Sequence, residues 1–167
     1  MKNKKPVLLI VDDDKTICEE LSSFLMEVGY KVFCANSKKD AQSSLKSKKI
    51  DMALLDIKLP DGSGLDLIGD IKESNKDAYT IVITASGSLS SAVEAFRNKV
   101  YDYILKPFDF DDLLNLIEEA FEEKDKKLKE REKVAILEKF QEAAVDRELK
   151  MIELKEKIGD LKKGKCE

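Results

Sequence analysis

The chain has 167 residues, 30 basic and 34 acidic side chains, a formal charge of −4, 43% hydrophobic residues and no histidine. The missing histidine excludes imidazole catalysis, a histidine metal site and a phosphohistidine donor within this chain. The slightly acidic balance offers no footprint for nucleic acid.

Val7–Val11 is a five-residue apolar run closed by three aspartates. It is too short for an export signal or a membrane span and reads as a strand buried on both faces. Ile17, Leu21, Phe24, Leu25 and Val28 then recur at helical spacing, and Gly29 stops that helix. Lys31–Ala35 reads as a second strand. Residues 37–48 read as a helix with Ser37 and Asp40 at capping-box spacing. Met52–Leu55 is a third apolar run, closed by Asp56. A Pro-Asp-Gly-Ser-Gly loop at 60–64 precedes a helix marked by Leu65, Ile68 and Ile71. Tyr79–Thr84 is a β-branched strand, 90–98 a short helix and 101–105 a fifth strand. Asp109 caps a helix that begins just past Pro107. Cys18, Cys34 and Cys166 lack metal-ligand spacing and, without an export signal, read as reduced thiols of a cytoplasmic protein.

Five β-α units with short connections predict an α/β fold, a five-stranded parallel, doubly wound sheet with helices on both faces. Ligands of such sheets sit at the carboxyl ends of the strands. Those ends carry Asp12, Asp13 and Asp14, then Asp56, Thr84 and Lys106. No glycine-rich loop follows the first strand, so a dinucleotide fold has little support.

Converging carboxylates repel one another, and a divalent cation removes the conflict. An all-oxygen ligand set selects Mg²⁺ or Mn²⁺ over zinc. The Thr84 hydroxyl and the Lys106 ammonium are suited to the remaining oxygens of a phosphoryl group. The pattern therefore reads as a site where an aspartate attacks phosphorus while metal and lysine neutralise charge. An aspartate after a strand is also a common helix cap, which is the preferred reading for Asp14.

The stretches Leu8 to Asp14, Leu54 to Gly62, Ile83-Thr84-Ala85 and Tyr101 to Phe108 resemble the receiver domain of bacterial two-component response regulators. Thr84-Ala85-Ser86-Gly87-Ser88 and Lys106-Pro107-Phe108-Asp109 are similar in particular to receivers of the nitrogen-regulator type. The resemblance spans residue 6 to about 121 and implies a flavodoxin-like receiver whose phosphoacceptor is Asp56. It implies Mg²⁺ bound by Asp13, Asp56 and the backbone carbonyl of Lys58, with Asp12 assisting through water. It places Thr84, Ala85 and Lys106 on the phosphoryl group and a cis bond before Pro107. Its partner would be a sensor histidine kinase or a phosphotransfer protein. Thr84 and Tyr103 would form a switch, whereas residue chemistry alone makes Tyr103 a strand aromatic whose hydroxyl reaches solvent. One departure is Lys99-Val100, where the family usually has Gly-Ala, so the loop beside the switch face is expected to be reshaped.

Two other classes are compatible with parts of the pattern. Asp12-x-Asp14-x-Thr16 fits the nucleophile motif of haloacid-dehalogenase-like phosphohydrolases, with Asp12 as nucleophile, but leaves Asp56 without a role. A phosphorylation-independent coiled-coil adaptor is the other.

The tail points to that coiled coil. Residues 122–167 carry 27 charges in 46 positions, and eleven of the twelve residues 122–133 are charged. The expected organisation is a receiver domain over 1–121, a charged helical linker over 122–136 and a coiled-coil segment over 137–163. No glycine or proline interrupts 108–158, so the fifth helix is expected to run on as one long helix. Leu137, Phe140, Ala144, Arg147, Met151, Leu154, Ile158 and Leu161 alternate steps of three and four, a heptad seam with one polar position. A helix from 109 to 161 would be about 80 Å long, against about 30 Å for such a domain, so the seam needs another helix. A parallel homodimer supplies it. A hairpin folding back near 122–133 and a docking helix for a different partner are the alternatives.

Overall fold

A computed structural model describes residues 5–85 and 87–164. Ser86 and Cys166, both used in the sequence reading, lie outside them. The elements run β1 (Val7–Val11), α1 (Lys15–Val28), β2 (Lys31–Ala35), α2 (Lys38–Ser47), β3 (Met52–Leu55), α3 (Leu67–Ser74), β4 (Tyr79–Thr84), α4 (Leu89–Arg97), β5 (Asp102–Leu105) and α5 (Phe110–Lys163). The five strands form one parallel sheet in the order β2-β1-β3-β4-β5. The chain order reverses beside β1, and the crevice at the carboxyl ends of β1 and β3 lies at that switch point.

Alternation along the central strands builds two cores. Val7, Leu9 and Val11 of β1 join Ala41 and Leu45 of α2, Leu67, Ile68 and Ile71 of α3, and Ala95 of α4. Leu8 and Ile10 face the other way, onto Cys18, Leu21 and Leu25 of α1 and Leu113, Ile117 and Ala120 of α5. Every residue of β1 and β3 is buried, which is why both read as unbroken apolar runs rather than alternating ones.

Local chemistry sets the helix ends. Asp14 accepts from the backbone N–H groups of Thr16 and Ile17, the capping role expected of it. Ser37 Oγ accepts from the Asp40 N–H, and Gly29 closes α1 at φ +118°. The 60–64 segment is more ordered than a loop: Lys58–Leu59 and Gly62–Ser63 pair as a short antiparallel hairpin, followed by a 3₁₀ turn over Gly64–Asp66.

Lys99 keeps a glycine-like backbone at φ +57°, and the next residue, Val100, is buried in the core. The turn after α4 thus holds a left-handed conformation with a side chain that disfavours it. That conformation costs a non-glycine residue about 1–2 kcal/mol, while glycine returns about 0.4–1 kcal/mol through the freedom of the unfolded chain. Lys99→Gly is expected to stabilise the domain by about 0.5–1 kcal/mol, read as a higher midpoint in urea at unchanged slope.

The chain divides into two units, residues 1–121 and 122–167. Within the second unit α5 continues as far as Lys163, and every described side chain from Asp125 onward is exposed. No helix among the described residues is long and apolar enough to cross a membrane.

Candidate functional site

The carboxyl ends of β1, β3, β4 and β5 bring the predicted residues together. Backbone bonds fix the two strand ends: the Asp12 N–H donates to the Ala35 carbonyl at 3.1 Å and the Asp56 N–H to the Val11 carbonyl at 2.8 Å. The carboxylates of Asp12, Asp13 and Asp56 then lie with oxygens within 4.8 Å of one another. Asp12 and Asp56 are buried, whereas Asp13 is exposed at the mouth.

Lys106 enters from the end of β5. Its Nζ is 3.0 Å from Asp56 Oδ2 and also bonds Asp12 Oδ2, while its own N–H donates to the Thr84 carbonyl at 3.0 Å. The Lys106–Pro107 peptide bond is cis. Burial works against the Lys106 cation, but its bonds to Asp12 and Asp56 and their charges outweigh that and hold its pKa above the usual lysine value. Burial pushes the Asp12 carboxyl above the usual range, with Lys106 and the Asp14 N–H opposing it.

The other oxygens of the buried pair are held by backbone. Asp12 Oδ1 accepts from the Asp14 N–H at 2.9 Å, and Asp56 Oδ1 from the Lys58 N–H at 3.1 Å. Three carboxylates against one ammonium leave a formal charge of about −2, with oxygen donors only; that set fits a hard divalent cation.

Thr84 closes β4, 1% exposed, and Ala85 follows it exposed. Tyr103 pairs with Val82 and sits half-buried against the first core, and burial together with the Asp56 charge pushes its hydroxyl upward.

Several supporting residues escaped the sequence reading. Asn36 Nδ2 donates to the Asp12 carbonyl at 2.9 Å from the end of β2. Its place one residue past a strand was the available signal. Both Asp61 carboxylate oxygens accept from α2, one from the Lys38 N–H at 2.8 Å and the other from the Lys39 N–H at 2.9 Å, which ties the hairpin to that helix. Gly64 lies so close beneath Asp56 that an added Cβ would overlap the Asp56 carbonyl oxygen.

This geometry is that of a known family. Residues 8–118 match the family model of the response regulator receiver domain, and the chain belongs to that family. The transcriptional regulatory protein ZraR of Klebsiella oxytoca is 34% identical over 120 residues, 72% of this chain and 27% of that protein. The chain thus spans about a quarter of that curated relative. A CheY-like receiver domain protein from Methanospirillum hungatei superposes at a TM-score of 0.71 and 31% identity, over 74% of this chain and 99% of its own. A Burkholderia pseudomallei response regulator solved with a phosphorylated aspartic acid, calcium ion and citrate matches at 28% identity and a TM-score of 0.63, over 71% of this chain and 73% of that one. The chain is a receiver domain of two-component signalling, and the phosphohydrolase reading with Asp12 as nucleophile falls away.

Proposed function

We propose that Asp56 accepts a phosphoryl group from a phosphohistidine on a separate sensor kinase or phosphotransfer protein, with Mg²⁺ or Mn²⁺ held by Asp12, Asp13, Asp56 and the Lys58 carbonyl. The observation that carries this is Lys106 Nζ bridging the buried carboxylates of Asp12 and Asp56, with Asp13 alongside. The Burkholderia relative's phosphorylated aspartic acid and calcium ion support the same chemistry. When bound, the metal supplies positive charge against the phosphoryl oxygens.

The protein's own groups do the rest. The Lys58 N–H and Lys106 orient the Asp56 carboxylate, one oxygen each. An Asp56 oxygen bonds to phosphorus as the donor's N–P bond breaks, and the donor imidazole leaves with the electron pair. Because this sequence has no histidine, that imidazole lies outside these 167 residues. Lys106 exchanges an Asp56 oxygen for a phosphoryl oxygen, and the Thr84 hydroxyl and the backbone at Ala85 take others.

The phosphoryl group carries roughly −1.5 to −2 charges, and because its bond consumes the Asp56 carboxylate charge the net gain at the site is about −1. Driving a two-state domain from mostly inactive to mostly active takes about 5.5 kcal/mol, which two or three charge-assisted bonds at about 1.5–3 kcal/mol each can supply. Movement of Thr84 toward the phosphoryl group frees space for Tyr103 and remodels the surface of α4, β5 and α5. With acetyl phosphate and Mg²⁺, the wild-type chain should gain one phosphoryl mass on the peptide holding Asp56, and Asp56→Asn should gain none. Label on Asp12 instead would refute the reading in favour of an Asp12 nucleophile, and no label on the wild type would refute it and leave the coiled-coil adaptor.

The tail completes the proposal as a homodimer contact. Leu137, Phe140, Met151, Leu154, Ile158 and Leu161 are each more than half exposed, on the seam with Ala144 and Arg147. A parallel in-register pair buries that seam but sets Lys150 against Lys155 and Lys157 against Lys162 of the other helix. The dimer should therefore tighten as salt screens those lysines. Arg147→Leu, which puts an apolar side chain at the one polar core position, should lower its dissociation constant roughly tenfold or more. Sedimentation at graded concentration and salt checks both, and a monomer under all conditions would refute the dimer.

A further inference from the structure

Two cysteines of the β1-α1-β2 unit meet beside the acidic cluster, and the phosphoryl chemistry uses neither. Cys34 lies on β2, the edge strand, with its side chain exposed, and Cys18 lies in the first turns of α1, 2% exposed. The Cys34 thiol donates to the Cys18 carbonyl at 3.5 Å, which sets it beside the Cys18 side chain. The Cys18 thiol in turn donates to the Asp12 carbonyl at 3.5 Å and accepts from Asn36 Nδ2 at 3.6 Å. The pair thus joins an open thiol to a closed one, sixteen residues apart in sequence and in contact in space.

We propose that Cys34 and Cys18 are a reversible oxidation site, in which Cys34 reacts with a peroxide from solvent and Cys18 resolves it as an intramolecular disulfide. The steps balance without another reactant. The Cys34 sulfur attacks one peroxide oxygen, the O–O bond breaks, and hydroxide leaves and is protonated to water. The Cys18 sulfur, giving up its proton, then attacks the Cys34 sulfenic sulfur, and the S–O bond breaks to release a second water. Two thiols and one peroxide become one disulfide and two waters.

The microenvironments suit those roles. The Cys18 thiol, with help from Ser22, brings the Cys34 pKa down to about 7, so a large share is thiolate at neutral pH. Cys18 is the buried member of the pair, closed to solvent peroxide but beside Cys34, so it acts second. Closing the bond also takes from the Asp12 carbonyl its thiol hydrogen, so the modification touches the backbone of the acidic cluster.

The test uses the full chain carrying Cys166→Ser, so that only the two thiols in question remain. Hydrogen peroxide near stoichiometry, followed by alkylation and peptide mapping, should join the peptides holding residues 18 and 34, with a loss of about 2 Da that dithiothreitol reverses. With Cys18→Ser added, Cys34 should stop at a sulfenic acid that dimedone captures. With Cys34→Ser added, Cys18 should stay reduced at the same dose. Oxidation of Cys34 that leaves Cys18 free to alkylate when both thiols are present would overturn the proposal. So would a Cys34 inert to about a tenfold peroxide excess. Neither readout depends on phosphorylation.

Discussion

Lys106→Met should lower the thermal midpoint of the receiver by about 10 °C in metal-free buffer, and millimolar Mg²⁺ should restore most of the loss. Lys106 is the cation that the structure gives both Asp12 and Asp56, and all three side chains are largely buried, at 15%, 5% and 9% exposure. Removing one partner of a buried ion pair strands the other, at about 3–5 kcal/mol. Here two carboxylates are left facing one another with Asp13 close by. Part of the cost is avoidable, because Asp12 is already pushed upward by burial and can take up a proton. That brings the expected loss to about 2–4 kcal/mol, and a domain of this size moves roughly 4 °C per kcal/mol. Metal rescue separates this account from a packing defect, since methionine fills much of the lysine volume and a cavity would not respond to Mg²⁺. A midpoint that rose on substitution would mean that desolvating the lysine costs more than its two bonds return.

The same residues show what a sequence can reveal about such a site. Asp12, Asp13, Asp56, Thr84 and Lys106 were legible because each stands one or two steps from an apolar run. A strand buried on both faces prints itself as such a run. Once β1, β3, β4 and β5 are placed, parallel topology brings their ends together, and β1 and β3 begin and end where the apolar runs do. Helix ends were legible to within a residue or so where a cap marked them, as at Ser37 and Gly29. The turn at Lys99 was expected to be reshaped for want of glycine, and the backbone instead keeps the glycine-like φ. What stayed hidden depends on backbone atoms meeting across a bend. The Lys58 N–H on Asp56, the paired hairpin at 58–63 and the Asp61 clamp on α2 leave no periodic trace. Asn36 and Gly64 are ordinary residues of loops until the fold shows what each approaches.

Gly64→Ala should cost about 2–4 kcal/mol and slow acetyl-phosphate labelling of Asp56 at least tenfold. Gly64 has no positive φ to protect, so its requirement is space alone. Its N–H donates to the Ile57 carbonyl at 2.8 Å, which draws the turn against the end of β3, and a Cβ there would overlap the Asp56 carbonyl oxygen. Both sides of that contact are backbone, so no rotamer relieves it. Overpacking a tight site costs about 1–3 kcal/mol even when side chains can give. The relaxation that remains is a shift of the turn or of Asp56, and the second would pull its carboxylate off Lys106 and the Lys58 N–H. Gly69→Ala is the matched control: Gly69 lies inside α3, nothing stands within 4 Å of its added Cβ, and alanine there should gain up to about 1 kcal/mol. Loss of stability and labelling together at 64, with neither lost at 69, is the expected pattern. If Gly64→Ala instead labels and melts as the wild type does, Asp56 is not seated on that turn, and its orientation rests on Lys106 and Lys58 alone.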